Sequence, residues 1–254
     1  MFIDTHAHLY LNQFQDDIDD VILRAKDNHV EKIFLPNIDC STIDALHELS
    51  DNYPNICYPM MGLHPCSVKE NYKEELNLID SKFQSKKYYG VGETGIDLYW
   101  DTSFKNEQIE AFEIQIEMAK QYGLPIIIHS RDSLDLTIEV IAKNYSDNLR
   151  GIFHCFNGTI EQAKRILDLN FHMGIGGVTT FKNAKMDDVL RYIPIENMVL
   201  ETDAPYLSPV PYRGQRNESS YLPLIAEKLA LVKSVAVEEI KLQTTLEAKR
   251  LFGL

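Results

Sequence analysis

Pro125-Ile126-Ile127-Ile128-His129 is a short run of β-branched residues that ends on an imidazole. Residues of this kind favour extended chain, and a run apolar throughout suits a strand buried on both faces, as in a parallel sheet. The same plan recurs along the chain. The expected strands are Met1–Asp4, Lys32–Pro36, Cys57–Gly62, Tyr88–Gly92, Pro125–His129, Gly151–His154, Phe171–Gly174 and Met198–Glu201. Between them lie segments with helical spacing. Ile18, Val21, Ile22 and Ala25 form one apolar stripe. Ile109, Phe112, Ile116 and Ala119 form another within Ser103–Tyr122, which Gly123 and Pro125 stop. Ser41, Thr159 and Ser234 are expected helix starts. The last twenty or so residues read as one more amphipathic helix, with Val237, Ile240, Leu246 and Leu251 toward the core. Eight strands alternating with helices predict a (β/α)8 TIM barrel, closed or distorted, with an extra C-terminal helix. At 254 residues the chain matches the roughly 250 that this fold takes, so residues 1–254 are expected to form a single domain.

In such a barrel the C-terminal ends of the strands face the active-site mouth. Six of the expected strands end in His, Glu or Asp: Asp4-Thr5-His6-Ala7-His8, Gly62-Leu63-His64-Pro65, Gly92-Glu93-Thr94-Gly95, His129-Ser130-Arg131, His154-Cys155-Phe156 and Glu201-Thr202-Asp203. His6 and His8 are two apart, so in extended chain both side chains leave one face, with Cα atoms roughly 7 Å apart. An isolated H-x-H is commonly a strand edge with two solvated histidines. The other polar strand ends shift the reading toward a shared metal pocket. Glu93 lies between glycines that allow close backbone approach, and its two oxygens allow it to bridge ions held roughly 3.5–4 Å apart. His129 and His154 add neutral imidazole donors from neighbouring strands. Asp203 suits both a ligand and a base, and Pro205 and Pro209 argue against its being a helix cap. His64 and Arg131 are candidates to contact an anionic substrate oxygen, although a structural ion pair explains Arg131 equally well. His29, His47 and His172 sit in helical or mid-strand contexts and read as non-functional.

Other chemistries fit less well. The four cysteines form no C-x-x-C pair and read as reduced thiols. No G-x-S-x-G elbow, P-loop or dinucleotide fingerprint is present. No apolar run approaches the ~18 residues of a membrane span, and Met1-Phe2-Ile3-Asp4 lacks the basic and apolar regions of a leader, so a cytoplasmic protein is expected. No obligate protein partner is evident. A net charge of −13 disfavours broad, non-specific attraction to nucleic acid, which rests on Lys and Arg neutralising phosphates. It does not exclude a phosphate substrate, because two dications would reverse the local sign.

Taken together, these blocks resemble the TatD-type deoxyribonucleases of the amidohydrolase superfamily. The resemblance rests on Asp4-Thr5-His6-Ala7-His8-Leu9, Gly62-Leu63-His64-Pro65, Gly92-Glu93-Thr94-Gly95-Ile96-Asp97, His129-Ser130-Arg131, Phe153-His154-Cys155-Phe156-Asn157-Gly158 and Glu201-Thr202-Asp203-Ala204-Pro205-Tyr206-Leu207. It implies a distorted barrel and two divalent ions, Mg2+ or Mn2+ in activity, with Zn2+ or Ni2+ on purification. By that analogy His6, His8, Glu93 and Asp203 hold one ion, and Glu93, His129 and His154 the other. It also implies cleavage of DNA, as a single strand or strand end, in the manner of a 3'-5' exonuclease. Asp203 and Glu93 would be catalytic, with His64 and Arg131 on the phosphate. The loop Arg213-Gly214-Gln215-Arg216-Asn217-Glu218 matches the family, but Ser219 stands where it usually has Pro, which predicts a looser loop.

The expected mechanism is in-line attack of water on phosphorus, with Asp203 orienting and deprotonating the water and the ions polarising a phosphoryl oxygen. Two other readings compete. One is hydrolysis of a small amide, lactone or phosphotriester at the same dinuclear site, since fold does not fix function. The other is a non-catalytic metal-binding or scaffolding protein, which the placement of Asp203 argues against.

Overall fold

The computed structural model describes residues 1–254. Eight strands alternate with helices: β1 (Phe2–Asp4), α1 (Ile18–Asp27), β2 (Val30–Pro36), α2 (Ile43–Asn52), β3 (Cys57–Met60), α3 (Tyr72–Lys82), β4 (Val91–Asp97), α4 (Lys105–Tyr122), β5 (Ile126–Arg131), α5 (Leu134–Lys143), β6 (Gly151–Phe153), α6 (Ile160–Asp168), β7 (His172–Ile175), α7 (Asp187–Tyr192), β8 (Met198–Leu200), α8 (Leu222–Lys233) and α9 (Val237–Phe252). Neighbouring strands are parallel and pair in two arcs, β1-β2-β3 and β4-β5-β6-β7-β8. Backbone hydrogen bonds bridge both gaps. Met61 N donates to Gly90 O (3.1 Å) and Gly92 N to Met61 O (3.0 Å) between β3 and β4. Thr5 N donates to Leu200 O (3.0 Å) and His8 N to Ala204 O (2.7 Å) between β8 and β1. The result is the expected (β/α)8 barrel, distorted at these two seams. No helix is long and apolar enough to cross a membrane.

The barrel lumen is filled by Ile3, Phe34, Tyr58, Met60, Ile127, Ile152 and Val199, one or two from most strands, as side chains fill small barrels. The helix beyond the eighth repeat, α9, plugs the N-terminal end of this lumen. Its Phe252 stacks on Phe34 with centroids 3.7 Å apart, and Thr245 Oγ1 donates to Met1 O (2.9 Å). The opposite end is thereby left as the open mouth. Within α9, Ile240 and Leu251 are buried, but Leu246, expected in the core, is 49% exposed. It sits on the face of α9 turned away from the buried stripe of Ile240, Thr244, Ala248 and Leu251.

Two expected helix starts are corrected. Ser234 ends α8 in the left-handed conformation (φ 58°) rather than starting a helix. The helix it ends is nearly all apolar, so it shows little helical stripe in sequence. At Ser41 the cap is Asp39, whose Oδ1 accepts from Ser41 N (2.9 Å). Thr159 does cap α6, in a capping box with Gln162.

The largest shift concerns β4, expected at Tyr88–Gly92 and found at Val91–Asp97. The two glycines read as strand terminators, yet the strand runs through both. Gly92 (φ 137°) would place a Cβ 2.5 Å from Ile127 O, and a Cβ on Gly95 (φ 139°) would strike His129 O. Glycine is required because β4 lies that close to β5. The register is irregular between Val91 and Thr94, and this bulge sets the aim of Glu93.

Asp4 ties the β8–β1 seam. Its Oδ2 accepts from Thr202 Oγ1 (2.6 Å) and its Oδ1 from Thr202 N (3.0 Å). The residue is fully buried, and burial pushes its carboxyl up to about 6 from 3.8, against the Thr202 hydrogen bonds. A raised folded pKa means that stability present below the unfolded value is lost as the pH climbs through the folded one. Asp4→Asn keeps the shape without the charge. In chelator its stability should therefore gain on wild type between pH 4 and 6, by about 3 kcal/mol in all (about two pKa units at ~1.4 kcal/mol each). Denaturant melts across that range would show it, and parallel curves would refute it.

Candidate metal centre

The H-x-H segment continues beyond β1 in extended form. Ala7 N donates to Phe34 O (3.0 Å) on one side and His8 N to Ala204 O on the other. This clamps Ala7 inward and sends His6 and His8 to the mouth, their Nε2 atoms 3.2 Å apart. Glu93, 3% exposed, lies at the middle of the site. Its Oε2 is 3.2 Å from His6 Nε2 and 3.3 Å from His8 Nε2. Its Oε1 is 2.8 Å from His129 Nδ1, 2.8 Å from His154 Nε2 and 3.3 Å from His64 Nε2. Asp203 Oδ1 sits 3.7 Å from both His6 and His8 Nε2. The structure thus brings together all six residues expected to hold metal. It places them in two lobes that share Glu93: His6, His8 and Asp203 on one oxygen, His129 and His154 on the other.

Outer partners decide which face His8, His129 and His64 offer, whereas His6 Nδ1 has none. Tyr10 Oη donates to Pro36 O (2.6 Å), so at 3.0 Å it accepts from His8 Nδ1, leaving the Nε2 lone pair inward. Asp97 Oδ2 accepts from His129 Nε2 (2.9 Å), so Nδ1 turns its lone pair to Glu93. Glu201 Oε1 lies 3.4 Å from His154 Nδ1, within ion-pair reach though not a formed hydrogen bond, and accepts from Cys155 N at 2.5 Å. His64 is the reverse case. Its Nδ1 accepts from Cys66 N (3.1 Å), so in the neutral ring Nε2 carries the proton and presents a donor to the centre. His64 is therefore built to hydrogen-bond an oxygen, not to ligate.

These imidazole lone pairs point at carboxylate oxygens, an arrangement that requires positive charge between them. Without a cation the histidines supply it. Burial would lower His154, but Glu93 and then Glu201 raise it well above its ordinary value, and the Asp97 and Glu93 hydrogen bonds likewise raise His129 against burial. Burial alone would raise Glu93, yet His64, His154 and His6 hold it well below the usual carboxylate range. Divalent cations replace such protons directly, and mixed imidazole–carboxylate donor sets of this size suit them. The residues present fit two ions. Carboxylates behind His129 and His154 are the usual outer support for metal-bound histidine.

A sequence profile described as "TatD related DNase" matches residues 3–253. The chain belongs to that family. It is 41% identical over 255 residues to the uncharacterized metal-dependent hydrolase YabD of Bacillus subtilis, covering all of both chains. It is 32% identical to the uncharacterized metal-dependent hydrolase YcfH of Escherichia coli K12, over 99% of this chain and 96% of that one. The crystal structure of YjjV, a TatD homolog from E. coli K12, superposes with a TM-score of 0.94 at 28% identity, covering 100% and 98% of the two chains. This TatD-family chain is a metal-dependent hydrolase.

Within the TatD frame, several positioning residues escaped the sequence reading. Gln115 Nε2 donates to Thr94 Oγ1 (2.6 Å) and Leu63 O (3.1 Å), and Gln108 exchanges hydrogen bonds with the Asp97 backbone (2.8 and 3.1 Å). Both are buried polar residues seven apart inside the apolar stripe of α4, which was the available signal. Asn217 Nδ2 donates to Thr202 O (2.7 Å) and Tyr206 O (2.6 Å), bracketing Asp203. Arg216 binds both oxygens of Asp17 at 2.7 Å and Glu218 at 3.0 Å, with Phe14 beneath it, so it anchors the loop to α1. Asn217 and Arg216 fasten the loop on both sides, and Ser219 is fully buried beside it. Arg131 lies at the end of β5 with its guanidinium 3.8 Å from the Tyr99 ring centre. His29, His47 and His172 lie elsewhere; His47 pairs with Tyr88 Oη (2.6 Å) and His172 with Glu247 (3.4 Å).

Proposed function

We propose that this hydrolase is a deoxyribonuclease that removes nucleotides from the 3' end of a DNA strand using two divalent cations, Mg2+ or Mn2+. The observation that carries the reading is the two-lobed pocket sharing Glu93, with a base at one lip and an N–H donor at the other. Bound there, the cations would polarise a phosphoryl oxygen and make water acidic enough to attack near neutral pH. Asp203, on the rim of the first lobe, accepts the proton from the attacking water. Burial pushes its carboxyl up to about 7 in the cation-free site, and cations beside it lower that value, so the carboxylate is ionised and able to accept a proton near neutrality. His64 Nε2–H donates to a non-bridging phosphate oxygen beside the second lobe. The fold of the Asn217 loop keeps Asp203 aimed while the substrate changes. A net charge of −13 favours a strand end drawn into a cationic pocket over a duplex held along a groove.

The decisive experiment is a panel of end-labelled DNA and RNA strands against a metal series. A 5'-labelled single strand should shorten progressively with Mg2+ or Mn2+, and chelator should stop it. Turnover of lactones, amides or phosphotriesters with no oligonucleotide cleaved under any metal would replace this reading with small-molecule hydrolysis.

A further inference from the structure

The chain has one tryptophan, and it is 70% exposed. Trp100 and its neighbour Tyr99, 53% exposed, follow directly from β4, whose Glu93 is the centre of the metal pocket. Large apolar side chains left in water beside an active-site mouth mark contact surfaces more often than accidents. Here the surface is also built. Tyr99 N and Trp100 N both donate to Asp97 Oδ1 (3.0 and 3.3 Å), and Leu98 N donates to Arg131 O (2.9 Å). The same Asp97 uses its other oxygen to hold His129 (2.9 Å), so one carboxylate sets both the metal pocket and the aromatic pair. The two rings stand at 87° with centroids 4.9 Å apart. The Arg131 guanidinium covers Tyr99 at 3.8 Å and lies 5.2 Å from the Trp100 ring.

Behind the pair opens a cavity of about 740 Å³, lined by Tyr99, Lys105, Ser130, Arg131 and Asn157 among others. Lys105 and Arg131 line it together with Asp132 and Asp135, so the cavity carries no net charge, and Arg131, held against the two rings, is the cation nearest the pair. Exposed aromatic faces with adjacent basic side chains are how proteins hold single-stranded nucleic acid, through stacking that tolerates any base.

We infer that Tyr99, Trp100 and Arg131 form a stacking platform for a nucleobase of the single-stranded substrate, beside the nucleotide whose phosphate enters the metal pocket. The inference rests on the deoxyribonuclease reading and names the part of the site that grips bases. Trp100 carries the base on its open indole face. Arg131 steadies Tyr99 and faces the adjoining phosphate. Such a platform serves the unstacked bases of a single strand and has nothing to offer a small lactone.

Two measurements test it. As the sole tryptophan, Trp100 reports on its own surroundings. On rapid mixing of wild-type enzyme with a thymidine strand in Mg2+, its fluorescence should quench before turnover, whereas an abasic strand of equal length should leave it unchanged. Second, W100A should raise the KM for the strand about tenfold relative to the KM for bis(p-nitrophenyl) phosphate, a diester without bases, with little change in kcat on the strand. Equal quenching by both strands, or equal effects of W100A on both substrates, would overturn the platform while leaving the deoxyribonuclease reading intact. Wild-type protein that turns over the small diester but cleaves no oligonucleotide would instead overturn the deoxyribonuclease reading, and the platform with it.

Discussion

Glu93→Gln will lower the hydrolytic rate by more than 100-fold and remove most of the stabilisation that divalent cations confer. The substitution keeps the side-chain shape but replaces one anionic oxygen with an amide NH2. Whichever way the amide turns, one lobe meets a donor where it had an acceptor. If it faces His129 and His154, the second lobe loses its shared ligand; if it faces His6 and His8, the first does. Removing even an outer partner of a metal-bound histidine typically weakens metal binding or activity by roughly 10–100-fold, so loss of the shared carboxylate should exceed that. The melting curve gives an independent reading. At cation concentrations about 100 times Kd, binding adds about 2.7 kcal/mol. For a chain of this length each kcal/mol raises Tm by roughly 2–4 °C, which amounts to a shift of about 5–10 °C in wild type. The variant should show less than half of it. Its metal-free form should stay folded, because the amide hydrogen-bonds the imidazole nitrogens that face it. Wild-type rates in Glu93→Gln would refute the shared-ligand assignment outright.

The metal pocket was legible because each donor follows an apolar run, and a parallel barrel turns the ends of its strands to one mouth. The order His6, His8, His129, His154 needed only the period of a strand and the fold to become a cluster. Glu93 was drawn into the pocket from an incorrect strand boundary: the glycines beside it read as a terminus, and only the closeness of β5, which no local pattern reveals, makes them the interior of β4. The partners behind the donors were harder to see for the same reason. Asp97, Glu201 and Asn217 lie inside the motif blocks, but their partners (His129, His154 and the Thr202 and Tyr206 carbonyls) are set by the fold, and Tyr10 shows no local sign that it meets His8. Gln108 and Gln115 did leave a trace, as polar residues inside an apolar stripe. Helix α8 was missed because leucines also stand outside its buried stripe, Leu231 being 77% exposed, and this blurs the amphipathic contrast by which helices are read. Leu246 shows the converse, a leucine six residues after Ile240 and five before Leu251, and so off the buried stripe and facing solvent. Arg131 was aimed from strand periodicity alone, and the aromatic pair that receives its guanidinium lies on the neighbouring strand's loop.

Asp203→Asn should yield a folded protein that still responds to cations yet turns over about 10²–10⁴-fold more slowly, the usual worth of a positioned base. Asn is the informative replacement. Asp203 has φ 58°, a left-handed conformation that Asp and Asn accept more readily than other side chains, so Asn changes the chemistry without adding backbone strain. Its backbone tie, N–H to His6 O at 2.9 Å, is unaffected. The other lobe, built from Glu93, His129 and His154, keeps all its donors, so a reduced but measurable rise in Tm with cations should persist. The pH profile separates a base from a mere ligand. Burial raises the Asp203 carboxyl to about 7, with the charge of His154 opposing and that of Glu93 adding to the rise. Cations beside it favour the ionised form and must move that value down. A base works only when ionised, so wild-type kcat should fall as the pH drops, with a midpoint below 7. The variant should lack this acid limb altogether, running slow and flat through the same range. If Asp203→Asn kept the limb and lost rate only through weaker cation binding, restored by raising the metal concentration, Asp203 would be a ligand alone and the base would have to be sought elsewhere in the pocket.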